Sequence, residues 1–457
     1  MTESLNIIIL AAGKGKRMCS DLPKVLHLLA GKPLLAHCYE TARMLAPRRV
    51  QIVYGHGGEQ VRACLAEFDV VWVEQQQQLG TGHAVRQALP EVRDNDKVVV
   101  LYGDVPLLTH DTLKSLIDDV NDSTLALLTV VLEDPTGYGR IIRNEHGKVL
   151  RIVEEKDATQ EEKRVSEVNT GILSVKGKLL AQWLTRLKAN NAQGEYYLTD
   201  IVAMAVADGV TIATQSPTTR MEVMGVNDKV QLAYLERAYQ KQRAEELMRG
   251  GVTLCDPNRV DLRGSLKTGT DVIIDVNVIF EGRVTLGNQV TIGPHCVIKD
   301  AVIGDGVKIQ AFSHIDTAHI GQDSVIGPFA RIRPDTQLDS GVHIGNFVEI
   351  KKSSVGAQSK INHLSYIGDC TVGREVNIGA GTITCNYDGA NKHTTVIEDQ
   401  VFIGSDTQLV APVRIKKGAT IGAGSTITKD APEDELTLSR SKQTTVEGWI
   451  RPVKKPK

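Results

Sequence analysis

The first half of the chain alternates short apolar runs with longer mixed segments. Within residues 1–227 the apolar runs are NIIIL, RRVQIVYG, VVWVEQ, KVVVLYGD, TLALLTVVL and GVTIATQ. Strands buried on both faces of a parallel sheet read as continuous apolar runs, and the segments between them are long enough for crossover helices. The pattern therefore predicts an α/β domain of Rossmann-like type, with a largely parallel sheet, over residues 1–227.

The next segment follows a helical period. Its apolar positions are Val230, Leu232, Leu235, Ala238, Tyr239, Leu247 and Met248. Asn227 or Asp228 provides an amino-terminal cap, and Gly250-Gly251 provides the stop. We expect one long amphipathic helix over residues 228–249 and interpret residues 228–250 as a linker between two domains.

Beyond this helix, apolar residues recur every six positions. Two such series are Ile326, Ile332, Leu338, Ile344, Ile350 and Ile403, Leu409, Ile415, Ile421, Ile427. A fixed period is typical of a stacked solenoid, and three six-residue rungs form a triangular turn of about 18 residues. An antiparallel sandwich with regular turns accounts poorly for a phase that persists through most of residues 284–430. We expect an all-β solenoid over residues 251–457, with one loop leaving it between Ile378 and Ile403.

Length, charge and cysteine usage narrow the function classes. A chain of 457 residues exceeds one compact core, and its net charge of -2 gives no global argument for nucleic-acid binding. No apolar stretch approaches the roughly 20 residues that span a bilayer. The seven cysteines contain no CxxC pair, which indicates reduced thiols. We expect a cytoplasmic protein that neither binds nucleic acid nor inserts into a membrane.

A basic, glycine-containing loop follows the first apolar run. The stretch LAAGKGKRM lacks the GK[ST] of a P-loop, and Met18 occupies the third glycine position of GxGxxG. The remaining possibility is a glycine turn whose backbone N–H groups bind phosphate oxygens. The basic side chains available to help are Lys14, Lys16, Arg17 and Lys24. A turn of this kind, taken alone, is more often a solvated loop than a binding site. Other motifs of the domain are needed to choose between the two.

An acidic residue ends the run KVVVLYGD. Asp104 lies at the carboxyl end of that predicted strand, where ligands of open parallel sheets bind. Because Mg²⁺ prefers one or two protein oxygens together with phosphate and water, Asp104 beside a basic loop favours a magnesium-nucleotide site. The alternative is that Asp104 caps a helix beginning in PLLTHDTL. A second glycine turn, QLGTGHAV at residues 78–85, suits close contact with a flat base or sugar.

The solenoid carries its own candidate chemistry. Arg333 and Lys351 each follow an inward isoleucine and lie one 18-residue turn apart. Equivalent positions on stacked turns are about 4.8 Å apart, so these charges would repel unless an anion lies beside them. A phosphate is one candidate, and a carboxylate such as Glu349 is the other. His363, near Tyr366, lies outside the inward series and could act as a general base for a sugar amine, although a solenoid histidine is usually a surface residue.

The order of the motifs resembles one bacterial family. The motifs are LAAGxGxRM, LPKVL, LGTGHA, YGDVPLL, TGYGRI, VEEKDA, VNTGI, GEYYLTD and GVND, followed by the hexapeptide solenoid. Over essentially the whole chain they are similar to bacterial bifunctional N-acetylglucosamine-1-phosphate uridyltransferase and glucosamine-1-phosphate N-acetyltransferase. The resemblance implies that the chain acetylates glucosamine 1-phosphate with acetyl-CoA, then transfers uridylyl from UTP to the product and releases pyrophosphate. The UDP-N-acetylglucosamine formed would feed peptidoglycan and lipopolysaccharide synthesis. The resemblance also implies that the solenoid is a left-handed parallel β-helix of hexapeptide repeats. It further implies a homotrimer whose active sites lie between the solenoids of neighbouring chains.

The resemblance also implies which residues form the uridyltransferase site. The implied nucleotide and sugar contacts are Leu10, Ala11, Ala12, Gly13, Lys24, Gln75, Gly80, Thr81, Tyr102, Gly103, Asp104, Gly139, Glu154, Asn169 and Asn227. Asp104 and Asn227 are the implied Mg²⁺ ligands, while Arg17 and Lys24 would neutralise phosphate charge. Lys16 departs from the family, which usually has threonine there.

For the acetyltransferase the resemblance assigns His363 as proton acceptor. The implied sugar-phosphate contacts are Arg333, Lys351, Tyr366 and Asn377. The implied acetyl-CoA contacts are Ala380, Asn386, Tyr387, Ser405, Ala423 and Arg440. Ser405, or nearby backbone N–H groups, would stabilise the tetrahedral oxyanion.

Three other functions remain open from the sequence. The first is a pyrophosphorylase for another sugar nucleotide, with a solenoid that serves only assembly. The second is a non-enzymatic assembly protein that shares both domain types. The third is a solenoid metalloenzyme with zinc on His314 and His319, for which His343 is the available third ligand.

Overall fold

The computed structural model describes residues 4–13, 15–55 and 57–454. Lys14, one of the predicted phosphate-binding side chains, lies outside the described residues. The chain divides into two compact units between Tyr239 and Gln240. Within the described residues, no helix combines the length and apolar character needed to cross a bilayer.

Among the described residues, the first unit contains eleven strands, six α-helices and the start of a seventh. Its strands are β1 (Leu5–Ala11), β2 (Leu28–Leu29), β3 (Lys32–Pro33), β4 (Arg49–Tyr54), β5 (Val71–Glu74), β6 (Lys97–Tyr102), β7 (Thr124–Val131), β8 (Arg140–Arg143), β9 (Val149–Val153), β10 (Glu167–Lys176) and β11 (Thr211–Gln215). Its helices are α1 (Leu34–Met44), α2 (Gly58–Cys64), α3 (Thr81–Ala88), α4 (His110–Asp118), α5 (Gly177–Arg186), α6 (Asp200–Ala207) and α7 (Lys229–Arg249), the last of which continues into the second unit.

The main sheet confirms the predicted fold class. Its strand order is β11-β7-β10-β6-β1-β4-β5, with β8 and β9 attached as a hairpin beside β10. The pairs β6–β1, β1–β4, β4–β5 and β7–β11 are parallel, whereas β10 runs antiparallel to both of its neighbours. All six predicted strands are present, but β8, β9 and β10 were not predicted.

Both faces of this sheet are covered by helices. Ile7 and Ile9 of β1 belong to one core cluster, whereas Ile8 and Leu10 belong to the other. Side chains alternate across a strand, so a continuous apolar run is explained by burial on both sides. Because helices cover both faces, the position available to a ligand is the edge formed by the carboxyl ends of the parallel strands β1, β4, β5 and β6.

The long helix α7 is present, but the predicted apolar face is only partly correct. Leu235 is fully buried, and Leu232 and Tyr239 pack beside it. Val230 is 79% exposed and Met248 is 37% exposed, so these two predicted members do not belong to the buried face. The helical period alone did not distinguish them, because apolar side chains also occupy exposed positions of helices.

The second unit is a stack of short parallel strands. They are β12 (Thr253–Leu254), β13 (Val260–Thr268), β14 (Ile273–Ile274), β15 (Val278–Leu286), β16 (Thr291–Ile292), β17 (Val297–Lys299), β18 (Val302–Ile303), β19 (Lys308–Ile309), β20 (His314–Asp316), β21 (Ala318–Ile320), β22 (Val325–Ile326), β23 (Arg331–Ile332), β24 (Thr336–Leu338), β25 (His343–Asn346), β26 (Glu349–Lys351), β27 (Ser354–Val355), β28 (Lys360–His363), β29 (Tyr366–Gly368), β30 (Cys370–Val372), β31 (Asn377–Ile378), β32 (Ile383–Cys385), β33 (Thr395–Ile397), β34 (Phe402–Ile403), β35 (Gln408–Val410), β36 (Val413–Ile415), β37 (Thr420–Ile421), β38 (Thr426–Ile427) and β39 (Leu436–Thr437).

These strands form a solenoid with an aliphatic column inside it. Two sheets of 11 and 17 strands share the turns. Ile332 pairs with Ile350, and Ile350 pairs with Ile367, and all three are fully buried. Each such side chain contributes about 1.5–3 kcal/mol through burial, so the six-residue period is the spacing of the core itself. The predicted left-handed coil stays a prediction.

The predicted loop leaves the solenoid between β32 and β33. Asp388 holds it in shape, because its carboxylate accepts hydrogen bonds from the backbone N–H groups of Ala390 and Asn391 and pairs with His393. These bonds hold the pKa of Asp388 well below its usual range. Tyr387 is 60% exposed, and the loop therefore presents an aromatic side chain to solvent.

Candidate active sites

The basic loop after β1 is a tight turn that brings Lys24 close to the backbone. Gly15 has φ 57°, and a Cβ there would lie 2.7 Å from Cβ of Lys24. Only glycine tolerates both the conformation and this approach. Met18 is buried and anchors the short turn Lys16–Met18, whereas Lys16 and Arg17 are exposed. The loop therefore leaves two cationic side chains exposed to solvent and holds a third, Lys24, against the sheet edge.

Lys24 joins the two residues that the family resemblance implies as metal ligands. Its Nζ forms an ion pair with Asp104 Oδ2 and donates to Asn227 Oδ1 at 3.3 Å. Asp104 follows β6, and its backbone C=O accepts from Val226 N at 2.9 Å, which brings the segment before α7 to the strand end. The alternative role for Asp104 as a helix cap is wrong, because Thr109 caps α4.

The oxygens of Asp104 and Asn227 fit a divalent cation. They converge on one positive charge, the Lys24 ammonium, which stands where a cation would bind. Two protein oxygens with phosphate and water complete the donor set that Mg²⁺ prefers. Within the described residues there is no cluster of three or more His, Cys, Asp and Glu side chains suited to a metal. Water, and phosphate oxygens once a substrate is bound, would therefore supply the remaining ligands of a magnesium ion here.

The second glycine turn lies after β5. Gly80 has φ 107°, and a Cβ there would lie 2.7 Å from the backbone oxygen of Tyr196. Thr81 begins α3, and its Oγ1 accepts from Leu198 N at 3.0 Å. Gln75 is buried at the end of β5 and donates from Nε2 to the C=O of Gly80 at 3.1 Å. Gln75, Gly80 and Thr81 thus form one rigid group on the same edge as Asp104.

A third group lies where β8, β9 and β10 meet. Asn169 donates its backbone N–H to Gly139 at 2.8 Å, and Glu154 accepts from the Thr199 hydroxyl at 2.9 Å. Partial burial raises the pKa of Glu154, with smaller contributions from the nearby carboxylates of Asp200 and Asp157. A partly buried carboxylate that already accepts from one hydroxyl donor is suited to binding further hydroxyl groups.

Tyr102 and the main-chain members of the set line the space between these groups. Burial raises the pKa of the Tyr102 phenol, and Gly171 leaves room for its ring, since a Cβ there would lie 2.5 Å away. Gly103 packs against Leu35, which a Cβ would meet at 2.9 Å. The remaining members are Leu10, Ala11, Ala12 and Gly13, which lie at or just beyond the end of β1.

In the second unit, His363 has an orienting partner that the sequence did not suggest. Asn346 and His363 are directly paired on β25 and β28, and Asn346 Oδ1 lies 3.0 Å from His363 Nδ1. An amide oxygen only accepts, so Nδ1 carries the proton and Nε2 is left with a free lone pair. His363 is exposed, and this arrangement presents a proton acceptor to solvent.

The predicted acetyl-CoA contacts Ala380, Ser405 and Ala423 follow successive strands of the same 11-stranded sheet. Ala380 accepts from Asp406 N at 2.7 Å, and the C=O of Ser405 accepts from Gly424 N at 2.8 Å. Arg440 Nη1 donates to the C=O of Ala423 at 3.0 Å. These positions form a vertical row at one corner of the solenoid, and Asn377 lies on β31 of the same sheet.

Lys351 and Tyr366 lie on the 17-stranded sheet instead, and Arg333 directly follows strand β23 of that sheet. Arg333 pairs with Glu349 at 2.7 Å, and Lys351 pairs with Asp369 at 3.7 Å. The carboxylate alternative therefore accounts for the stacked charges, and their repulsion does not by itself require a bound anion. The sequence suggested Glu349 but missed Asp369, which follows the IG of its own rung.

Asp369 also connects this cluster to the loop. Asn386 is 8% exposed, and its Nδ2 donates to Asp369 Oδ2 at 2.6 Å and to the Tyr366 hydroxyl at 3.5 Å. Two predicted residues, Asn386 and Tyr366, are thereby brought together. Tyr387, the next residue of the loop, points instead to the C=O of Gly389 at 2.6 Å and is exposed.

The zinc alternative gains no support. His314 and His319 lie on β20 and β21 of the 17-stranded sheet, whereas His343 lies on β25 of the other sheet. The part of the chain that the structure describes holds no group of three such ligands.

Comparisons with known proteins agree with both halves of the molecule. A model of the MobA-like NTP transferase domain matches residues 7–169, and the bacterial transferase hexapeptide model matches residues 283–317, 300–332, 317–352 and 394–429. The chain is 60% identical to Bifunctional protein GlmU of Nitrosospira multiformis over 456 residues, covering 100% of this chain and 99% of that protein. The proteins of the same name from Azoarcus sp. and Methylococcus capsulatus are 60% and 61% identical, covering 98% of this chain and 100% and 97% of theirs.

The chain belongs to the bifunctional GlmU family. It is therefore a bifunctional enzyme with a nucleotidyltransferase domain and a hexapeptide acyltransferase domain, as the motif order predicted. The pyrophosphorylase with a merely structural solenoid and the non-enzymatic assembly protein are not favoured. The first match covers the loop, Lys24 and Asp104, whereas His363 lies in the segment between two hexapeptide matches.

Proposed function

We propose that the first domain transfers uridylyl from UTP to N-acetylglucosamine 1-phosphate and that the second acetylates glucosamine 1-phosphate with acetyl-CoA. The observation that carries the proposal is that relatives named as bifunctional match the chain end to end, while each half holds its own polar constellation. We assign residues 1–227 to the uridyltransferase, 228–250 to a linker and 251–457 to the acetyltransferase.

In uridylyl transfer, a phosphate oxygen of the sugar attacks the α-phosphorus of UTP. The new P–O bond replaces the bond to the β-phosphate, and pyrophosphate leaves with the electron pair, so no proton needs to be removed. The protein's task is to position the groups and to neutralise charge. Lys24 and Arg17 neutralise the phosphates, and the backbone of Leu10, Ala11, Ala12 and Gly13 receives them at the sheet edge.

Asp104 and Asn227 would hold Mg²⁺, since their oxygens already converge on a cation. When bound, the ion supplies neutralisation of the negative charge on the transferred phosphate. Gln75, Gly80 and Thr81 take the base, while Gly139, Glu154, Asn169, Tyr102 and Gly103 take the sugars. Glu154 already accepts a hydrogen bond from the Thr199 hydroxyl, so its carboxylate suits contact with sugar hydroxyls.

In acetyl transfer, the neutral amine of glucosamine 1-phosphate attacks the thioester carbonyl. His363 Nε2 accepts the proton that the amine loses, with Asn346 fixing the tautomer. Ser405 stabilises the oxyanion, and coenzyme A leaves as the thiolate. Arg333, Lys351, Tyr366 and Asn377 hold the sugar phosphate, while Ala380, Asn386, Tyr387, Ala423 and Arg440 hold acetyl-CoA.

The assembly and location follow from the same proposal. The acetyltransferase residues are divided between two sheets of one solenoid, and many are exposed, which favours a homotrimer whose neighbouring chains complete each site. All seven cysteines are free thiols, which is consistent with the cytoplasm, where UTP and acetyl-CoA are available. The N-acetylglucosamine 1-phosphate made by the second domain is the substrate of the first domain, and the UDP-N-acetylglucosamine that results serves the synthesis of cell-wall precursors.

The test uses the purified full-length chain. Glucosamine 1-phosphate with acetyl-CoA should release free thiol, and N-acetylglucosamine 1-phosphate with UTP and Mg²⁺ should release pyrophosphate. Omission of either sugar phosphate controls for hydrolysis. A protein that performs neither reaction contradicts the proposal, and one that performs only pyrophosphate release would return the solenoid to a structural role.

A further inference from the structure

Gln75 is the one buried member of a run of four glutamines. It is 3% exposed, whereas Gln76 and Gln77 are exposed and Gln78 is half-buried. Gln75 follows β5, and its backbone N–H donates to the C=O of Tyr54 at 2.8 Å, which continues the pairing of β5 with β4. The side chain is therefore built into the carboxyl edge of the sheet.

The side-chain amide of Gln75 has two partners that fix its orientation. Its Nε2 lies 3.1 Å from the backbone oxygen of Gly80 and 3.1 Å from His83 Nδ1. A carbonyl oxygen only accepts, so the amide atom that faces Gly80 must be the nitrogen. The same nitrogen faces His83, and His83 Nδ1 must therefore be the unprotonated nitrogen of a neutral ring.

The surroundings of His83 favour this state of the ring. Partial burial lowers the pKa of His83, and the nearby Arg86 guanidinium lowers it further. The Gln87 amide nitrogen lies 3.1 Å from His83 Nε2 and donates to the His83 C=O at 3.4 Å. His83 lies between two glutamine amide nitrogens, and a neutral ring accepts from only one of them. The Gly80 carbonyl at 3.1 Å fixes the Gln75 amide, so we assign the acceptor of the ring to Nδ1, toward Gln75.

Both protons of the Gln75 amide are thus used inside the protein. Its Oε1 accepts no hydrogen bond from the described residues, and it retains contact with solvent rather than being sealed in the core. A polar atom without a partner on a side chain this deeply buried is suited to a ligand. Whatever binds there must present a donor to Oε1.

We propose that His83 is a positioning residue that sets the choice of nucleobase. By accepting from Gln75 Nε2, it holds Oε1 outward as a fixed acceptor, so the base must carry an N–H at the edge it presents. Uracil carries a proton on N3, whereas cytosine has a bare N3 and would place two acceptors against each other. This inference rests on the proposed uridylyl transfer and explains how one side of that site prefers UTP to CTP.

The test compares kcat/KM for UTP and CTP in the full-length chain. His83→Leu removes the acceptor, and we expect the UTP-to-CTP ratio to fall about fivefold, the equivalent of one net hydrogen bond. His83→Asn is nearly isosteric with His83→Leu but places an amide oxygen near the position of Nδ1, so it should retain the wild-type ratio. Gln77→Met, at an exposed position of the same run, should also retain it. Acetyl transfer in all variants checks that the chain is folded.

A double-mutant cycle separates positioning from a general structural role. In a Gln75→Met background, His83→Leu should cause no further loss of selectivity, because no amide remains to orient. An unchanged ratio in His83→Leu, or an equal loss in the Gln75→Met background, overturns the role of His83 while leaving uridylyl transfer intact. If the wild-type chain releases no pyrophosphate from UTP, the proposed function itself fails, and this inference fails with it.

Discussion

Lys24→Met is the substitution that tests the candidate metal site most sharply. In the structure the Lys24 ammonium forms an ion pair with Asp104 and donates to Asn227 at 3.3 Å. A divalent cation that takes the same oxygens must first displace this ammonium. We therefore predict that removing the charge strengthens metal binding to the substrate-free protein, although the same change weakens binding of UTP.

The size of the effect follows from the burial of the pair. Lys24 and Asp104 are each 15% exposed at the side chain, so solvent screens their attraction only in part. Two unit charges at about 4 Å attract by about 4 kcal/mol at an intermediate dielectric, but much of this is offset by the hydration that both groups lose. A hydrogen bond to a charged group contributes about 1.5–3 kcal/mol net. If removal of the ammonium spares the metal the lower value of this range, about 1.5 kcal/mol, the affinity for the metal rises about tenfold.

The assay is a titration of Mn²⁺ against the substrate-free chain, with free Mn²⁺ read from its paramagnetic resonance signal. Lys24→Met should bind Mn²⁺ about tenfold more tightly than wild type, and Asp104→Asn should abolish this binding. Lys32→Met is the matched control, because Lys32 pairs with Glu40 on the surface. Equal or weaker Mn²⁺ binding by Lys24→Met would refute the displacement argument.

Two further predictions concern stability. Ile350→Ala should lower the free energy of unfolding by about 2–5 kcal/mol, because Ile350 is fully buried in the aliphatic column; the measurement is urea unfolding followed by circular dichroism, and an unchanged midpoint contradicts the packing argument. Glu154→Gln should stabilise the folded chain at pH 8, since partial burial raises the pKa of Glu154 and the cost of its charge is fully present above that raised pKa. The gain should shrink as pH falls through the raised pKa, and a gain that grows toward acid pH would oppose it.

The sequence predicted the solenoid more completely than the sheet domain. A six-residue period is the core spacing itself, so the inward residues of the series from Ile326 to Ile350 and from Ile403 to Ile427 could be named in advance, and all ten are buried. In the first domain, apolar runs located the parallel strands but not β10, Glu167–Lys176, which runs antiparallel between two of them. Strand direction depends on which neighbours pair, and the residues of VNTGILSV carry no local sign of it.

The site residues divide in the same way. Lys24 and Asn227 are separated by 203 positions, so only the family resemblance could join them before the structure did. The partner of His363 was within reach, because Asn346 precedes it by 17 residues and stacked turns place such positions together. Asn346 carries no charge, so the repulsion that marks the stacked pair Arg333 and Lys351 does not mark it.

His83 shows a further limit of reading the sequence. It belongs to the motif LGTGHA, yet the motif does not reveal that the ring faces a side chain of the preceding loop. That contact depends on the tight turn at Gly80, which returns α3 toward the end of β5. The run of four glutamines hides the same information, since only burial distinguishes Gln75 from its neighbours.

The central claim is that one chain carries two separate catalytic modules. The most direct measurement assays Asp104→Ala and His363→Ala, each as the full-length chain, for both pyrophosphate release and thiol release. We predict that Asp104→Ala loses uridylyl transfer and keeps acetylation, and that His363→Ala does the reverse. Loss of both activities in either variant, with the fold intact by circular dichroism, would contradict the claim.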